Sequence, residues 1–328
     1  ASPCSVISRE IIRSFVLCGA VLWLVQHMTP STWLAGARNA HDYLITQPYV
    51  ALLYTKKFFW PISLSADYDL NPFQTTDAAL FWVGFAFLVM FVAAAIAASA
   101  FRRPRLIGFG LLWFLIALLP TSLLPLAEVM NDHRTFLPYI GLVIALAGAA
   151  ELLLSHARRA QQIAAACAAA VILCASGCAT WQRNKVWRTE ETLWRDVTIK
   201  SPRNGRGLMN NGNVLMARGD YGGALDYFHR ALVLDPQYPV LFINLGIAEA
   251  AAKHPAVAEL HFKEALRLAP SMPDSYTYYA RYLIAHSRQA EARGLLQDAL
   301  LLSPGDLMAR NLLAKTRGGA AIPKAKNG

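Results

Sequence analysis

Five stretches of this chain each run for about 20 residues with hardly a charge, which is the length a helix needs to cross a bilayer. They lie at 11–29 (IIRSFVLCGAVLWLVQHMT), 77–100, 106–126, 137–155 and 162–181. A backbone in lipid must satisfy its own polar groups, so such runs fold as α-helices. The composition agrees. Of the 328 residues 55% are hydrophobic and 16% charged, and the mean hydropathy is +0.32, too apolar for an ordinary soluble protein of this length.

The net charge of +10 has a positional explanation. Arg9 and Arg13 flank or enter the first run, Arg102, Arg103 and Arg105 join the second to the third, and Arg158 and Arg159 join the fourth to the fifth. If all five runs span, every one of these falls on one side, which the positive-inside bias makes cytoplasmic. Residues 30–76, 127–136 and everything after 181 then lie outside. Trp33, Trp60, Trp181 and Trp187 fall where an outer aromatic belt belongs. With its basic residues so placed and no nucleic-acid motif, the chain is not expected to bind nucleic acid. It opens on Ala1 without a basic leader, so no signal peptide is expected and the sequence reads as starting partway through a longer protein.

Polar chemistry outside these runs is sparse. Cys18, Cys167, Cys174 and Cys178 lie inside apolar runs and Cys4 near the start, so neither a disulfide scaffold nor a CxxC metal knuckle is available. His254 and His261 have no carboxylate or thiol at ligand spacing, and no metal or cofactor is implied. There is no GxSxG elbow, HExxH helix, GxxxxGK[ST] loop or GxGxxG turn.

After residue 181 a different period takes over. GRGLMNNGNVLMARGDYGGALDYFHRALVLDP ends at Pro236, and two similar segments end at Pro270 and Pro304, a period of 34. Small residues recur in register: Gly212, Gly246 and Ala280; Ala224, Ala258 and Ala292; Ala231, Ala265 and Ala299. Phe228, Phe262 and Leu296 are the larger wedges between them. This pattern is that of tetratricopeptide repeats, helical hairpins that bury their apolar faces only by stacking. The expected units are a half repeat at 182–202, in which Trp194 and Val197 take the wedge and small positions, and full repeats at 205–236, 239–270 and 273–304. A capping helix at 305–316 and a frayed tail at 319–328 follow. The chain is therefore expected to be all-α, a polytopic membrane domain over 1–181 followed by an α-solenoid over 182–318.

The first helices of such a solenoid line a concave face suited to an extended peptide. Asn210 and Asn244 occupy equivalent positions there, with Tyr278 in the third repeat. A carboxamide both donates to and accepts from a peptide backbone, so these residues read either as a short ladder for a protein acceptor or as polar residues on a solvated face.

Four segments together carry a family resemblance: LLYTKKFFWPISLSADYDLNP (52–72), LLPTSLLPLAEVMNDHRTFLPYIGL (118–142), the junction VWRTEETLWRDVTIKSPRN (186–204) and the repeats after it. The chain resembles, over nearly its whole length, the transmembrane and tetratricopeptide-repeat O-mannosyltransferase (TMTC) family and its bacterial relatives. The resemblance implies a GT-C-type glycosyltransferase, an integral enzyme taking sugar from a polyprenyl-phosphate carrier on the outer membrane face.

On that resemblance NDHRTFLP takes the family's position for an acidic–basic pair followed by an aromatic and a turn, here Phe136, Pro138 and Gly141. Arg134 is then expected to meet the carrier phosphate, since a guanidinium forks onto phosphate oxygens, with His133 assisting. Asp132 would orient the arginine or hold a sugar hydroxyl, and Glu128 would be a second polar contact. In the loop from 30 to 76, an amphipathic stretch too interrupted to span is expected along the outer interface. Its Lys56 and Lys57 either snorkel to headgroups or attract the anionic donor. Leu64, Ser65, Asp67 and Tyr68 match a further family signature, from which no catalytic role is carried over.

The family's catalytic carboxylates sit in a first outer loop that corresponds to nothing in this chain, so no general base is assigned. The sequence thus points to the carboxyl-terminal portion of a lipid-linked-sugar glycosyltransferase of a bacterial inner membrane, with its repeats in the periplasm holding the protein acceptor. A membrane-anchored repeat scaffold without catalysis, and an oligosaccharide ligase of related architecture, are the alternatives.

Overall fold

The structure, a computed structural model, describes residues 39–126 and 128–317 together with Gly19 and Trp23. The run at 11–29, those two residues apart, and the tail at 319–328 lie outside the described residues. Between residues 40 and 317 the described chain forms thirteen α-helices and one 3-10 turn, with no strand.

Helix α1 (Ala40–Phe59) starts at Asn39, whose side-chain oxygen accepts from the Asp42 amide at 2.8 Å and so satisfies one of the free donors of the first turn. The amphipathic stretch packs one face into the bundle. Tyr43, Val50 and Tyr54 recur at helical spacing and bury against Phe114, Leu118, Val129, Met130 and Leu142. Its polar atoms are satisfied inside that core: the Tyr43 hydroxyl donates to the Thr121 carbonyl at 2.6 Å, and the Tyr54 hydroxyl accepts from the Asn131 amide at 2.9 Å.

Four apolar helices follow: α2 (Ala79–Ala100), α3 (Arg105–Leu123), α4 (Phe136–Leu154) and α5 (Arg159–Val186). Each is long and apolar enough to cross a membrane, α4 together with the 3-10 turn Asp132–Thr135 before it, and α5 continues to Val186 rather than ending at 181. Contact between α3 and α4 is backbone to backbone. A Cβ on Gly110 would fall 2.6 Å from the Ala145 amide, and one on Gly141 would fall 2.8 Å from the Phe114 amide. Two glycines facing each other let apolar helices close in where the solvent gives no hydrophobic push. None of the 28 residues of α5 is buried.

The solenoid begins with α6 (Glu190–Lys200), capped by the Thr189 hydroxyl on the Thr192 amide, and stacks three hairpins on it. These are α7 (Gly205–Ala217) with α8 (Tyr221–Leu234), α9 (Pro239–Ala251) with α10 (Pro255–Leu268), and α11 (Pro273–Ala285) with α12 (Gln289–Leu302). Helix α13 (Leu307–Arg317) closes the stack, its first turn capped by the Asp306 carboxylate on the Met308 and Ala309 amides. Phe228, Phe262 and Leu296 are at most 1% exposed, and burying each contributes roughly 1.5–3 kcal/mol relative to leaving it in water. Every hairpin turns through one left-handed residue, at Gly219 (φ 81°), Lys253 (φ 66°) and Ser287 (φ 64°), again 34 apart.

Candidate functional site at the junction of apolar helices and solenoid

Three segments far apart in sequence meet at one end of the apolar helices: the loop at 60–76, the turn at 128–135 and the start of the solenoid at 200–206. The loop is shaped by its own signature residues. The Ser65 hydroxyl donates to the Asp67 carbonyl at 2.7 Å, and the Ser65 amide donates to the Tyr68 hydroxyl at 3.0 Å. That hydroxyl in turn donates to the Asp132 carboxylate at 2.7–2.8 Å, and Asn131 Nδ2 donates to the Ala66 carbonyl at 2.8 Å, which ties loop to turn.

The solenoid grips the same loop from the other side. Lys200 Nζ donates to the Leu64 carbonyl, the Ser201 hydroxyl to the Asp67 carbonyl and Asn204 Nδ2 to the Tyr68 carbonyl, each at 2.8 Å. Asn204 also caps α7 through its Oδ1 on the Gly207 amide, at 2.6 Å, so one side chain both starts the helix and docks it. Arg206 then bridges two acids. Its Nε and Nη2 reach Asp67 Oδ2 at 2.8 Å, and Nη2 also pairs with Glu128. Arg134 holds Glu128 from the far side, Nη2 to its carboxylate at 2.6 Å and Nη1 to its carbonyl at 2.7 Å.

This alternating chain, Asp67–Arg206–Glu128–Arg134, is largely withdrawn from water. Burial pushes the Asp67 carboxyl above its ordinary range despite the pull of Arg206. At Glu128 burial acts upward too, yet Arg206 and Arg134 together hold the carboxyl below the usual value. For Arg206 burial favours loss of the proton, and Asp67 with Glu128 overrides it. Tyr68 is shifted upward by burial and by the neighbouring Asp132 charge, so its hydroxyl remains a donor.

The residues singled out from sequence are thus divided between roles. Glu128 and Arg134 come together, and the Arg134 side chain is only 7% exposed; it would have to leave Glu128 before forking onto a phosphate. Asp132 meets Tyr68 rather than the arginine beside it. His133 and Lys56 are exposed, while Lys57 is half-buried with its Nζ 4.5 Å from the centre of the Tyr68 ring. On the solenoid, Asn210, Asn244 and Tyr278 are half-buried on α7, α9 and α11, and Arg281 lies 4.8 Å over the Tyr278 ring. Among the described residues, Asn244 Nδ2 and Asn213 Oδ1 are buried without a hydrogen-bond partner.

Arg206, Ser201 and Asn204 were not marked by sequence reasoning. One signal was present: the position of Arg206 in the repeat is taken by Val240 and Asp274 further on, so the arginine belongs to the one hairpin that meets the loop.

An all-α tetratricopeptide-repeat protein with helices long enough to cross a membrane is the class that fold and junction define. The tetratricopeptide-repeat family model matches residues 205–238. Over 260 residues the chain is 25% identical to the Protein O-mannosyl-transferase Tmtc3 of Drosophila melanogaster, covering 77% of this chain and 28% of that protein. The match is longer than the stretch from Glu190 to Arg317, so it cannot rest on the repeats alone. Among solved structures, the first repeat domain of Spaghetti (RPAP3) bound to an HSP90 peptide is similar at 29% identity, over 34% of this chain and 90% of that one, with a TM-score of 0.33. The first repeat domain of human RPAP3 is similar at 29% identity, over 36% and 92%, with a TM-score of 0.34. The chain spans little more than a quarter of the length of the mannosyl-transferase it matches.

Proposed function

We propose that this chain is the carboxyl-terminal portion of an integral-membrane glycosyltransferase that draws on a polyprenyl-phosphate-linked sugar and holds a protein acceptor on its solenoid. The observation that carries the proposal is the similarity to Tmtc3, which extends through the apolar helices into the repeats. The junction supports it physically: Arg206 and its neighbours fix the acceptor-side solenoid directly against the membrane-side loop, the coupling a transferase needs between the two substrates. Membrane domain and solenoid divide near residue 186. The turn at 128–135 and the solenoid face the periplasm of a bacterial inner membrane, opposite the arginines at 102–105 and 158–159.

Lys56, Lys57 and His133 attract the anionic donor, with Asp132, Arg134 and Glu128 shaping the turn beneath them. Asn210, Asn244 and Tyr278 hold the acceptor backbone. The test is transfer of a labelled sugar from a polyprenyl-phosphate donor to protein in membranes carrying the complete gene product. Transfer that falls in Asn244→Ala through a raised acceptor KM, with kcat kept, is the expected result. Membranes that bind acceptor protein but transfer no sugar with any polyprenyl-phosphate donor would leave a scaffold instead.

A further inference from the structure

A second group of cations gathers beside the junction, Arg183, Lys57 and Lys200, and of these Lys200 also helps to hold the solenoid on the loop. Arg183, in the last turn of α5, donates from Nη1 to Asp196 at 2.5 Å, while its Nη2 is buried with no hydrogen-bond partner. A guanidinium donor withdrawn from water and left unmade is costly, so the position calls for an acceptor. Lys200 Nζ reaches the same Asp196 at 2.9 Å and the Leu64 carbonyl at 2.8 Å. Lys57 approaches this segment from α1, its Nζ 3.4 Å from the Ile62 carbonyl and over the Tyr68 ring. Three cations here face two carboxylates, Asp196 and Asp132, which leaves a positive excess.

The surroundings of these cations are apolar and open. Phe59, Trp60 and Ile62 follow Lys57 on the chain and are each well exposed. Phe136, at the start of α4, is 79% exposed. At the end of α5, Trp181 is exposed with Lys185 Nζ 3.7 Å over its ring, and Trp187 lies 6.0 Å from the Arg183 guanidinium. Aromatic side chains with basic partners at the ends of apolar helices occupy the headgroup level of a bilayer. A soluble anion has no use for such a rim. A lipid with an anionic head fits both parts, hydrocarbon against the aromatic residues and phosphate on the cations.

We infer that Arg183, with Lys57 and Lys200, forms a binding site for the phosphate headgroup of a lipid, the free Nη2 of Arg183 supplying the donor that selects it. Trp187, 45% exposed, borders the Arg183 guanidinium at 6.0 Å. The inference shares Lys57 with the proposed function and takes from that reading the phosphate lipid to offer, a polyprenyl phosphate.

The test uses the chain in nanodiscs of phosphatidylcholine with a photoactivatable polyprenyl phosphate as the probe. Labelling should fall about fivefold or more in Arg183→Gln, by a smaller factor in Lys57→Gln and Lys200→Gln, and not at all in Lys315→Gln on the distant α13. Should Arg183→Gln not fold, judged by its tryptophan fluorescence, the two lysine variants carry the test. Labelling unchanged in all three, equal labelling by the corresponding polyprenyl alcohol, or full competition by inorganic phosphate would each overturn the inference. Lipid labelling that depends on Arg183 in a protein that transfers no sugar would overturn the enzyme reading alone.

Discussion

Arg206 Nε donates to Asp67 Oδ2 at 2.8 Å, joining the first full hairpin of the solenoid to a loop 139 positions earlier in the chain. Asp67 is almost wholly buried, and the same guanidinium pairs with Glu128, so the pairing decides how the two halves of the molecule meet. Buried ion pairs add little over an apolar contact of the same shape, but breaking one strands a charge.

Arg206→Ala should therefore cost about 2–4 kcal/mol at the junction, through the uncompensated Asp67 and Glu128 rather than through lost packing. Hydrogen exchange of residues 64–69 and 200–207 should rise sharply, with α9 to α12 as protected as before. Combining it with Asp67→Asn should cost less than the sum of the two single changes.

Tyr68→Phe removes a hydroxyl that serves two partners at once, donating to Asp132 and accepting from the Ser65 amide. The expected loss is about 1–3 kcal/mol, local to the loop and turn, because both partners are left unsatisfied. Exchange at the Ser65 amide is the direct readout, and protection equal to wild type would refute it.

Lys253 and Ser287 adopt a left-handed backbone that the first repeat gives to Gly219. Side chains other than glycine pay roughly 1 kcal/mol there, so Lys253→Gly should raise the solenoid's unfolding midpoint while Gly219→Ala lowers it.

A Cβ on Gly246 would lie 2.9 Å from the Phe262 ring. Gly246→Ala should destabilise the second repeat by about 1–3 kcal/mol through overpacking. Adding Phe262→Leu should restore part of it, since that pair is the one the third repeat uses at Ala280 and Leu296.

Glu259 accepts from Arg288 at 2.6 Å, Tyr279 at 2.9 Å and Lys263 at 2.9 Å. These partners, Arg288 foremost, bring its pKa from the ordinary 4.5 down to about 2. Because the folded value is depressed, the stabilisation is complete above pH 4.5 and is lost as the pH falls towards 2. Unfolding midpoints measured across that window should drop less in Glu259→Gln than in wild type.

Much of the architecture could be read directly. Apolar runs of bilayer length and a 34-residue period each follow from local composition, because a helix in lipid and a hairpin that must stack both write their demands into every turn. The junction was less legible. The family resemblance implied that Asp132 pairs with His133 or Arg134, yet in the structure Asp132 meets Tyr68 and Arg134 meets Glu128. Asp67 and Tyr68 stood out only as a signature without a role; Arg206 supplies the role from the other end of the chain.

By itself, then, the sequence determined the all-α class, the apolar helices and the register of the repeats, since these depend on contacts between residues within about one turn or one repeat of each other. Only the tertiary structure decided that α1 packs into the bundle, that Glu128 belongs to two arginines and that the solenoid docks on the loop at 64–69. Those outcomes depend on which charges share a dry space. Sequence spacing carries no record of that, because the partners are brought together by chain reversals between them.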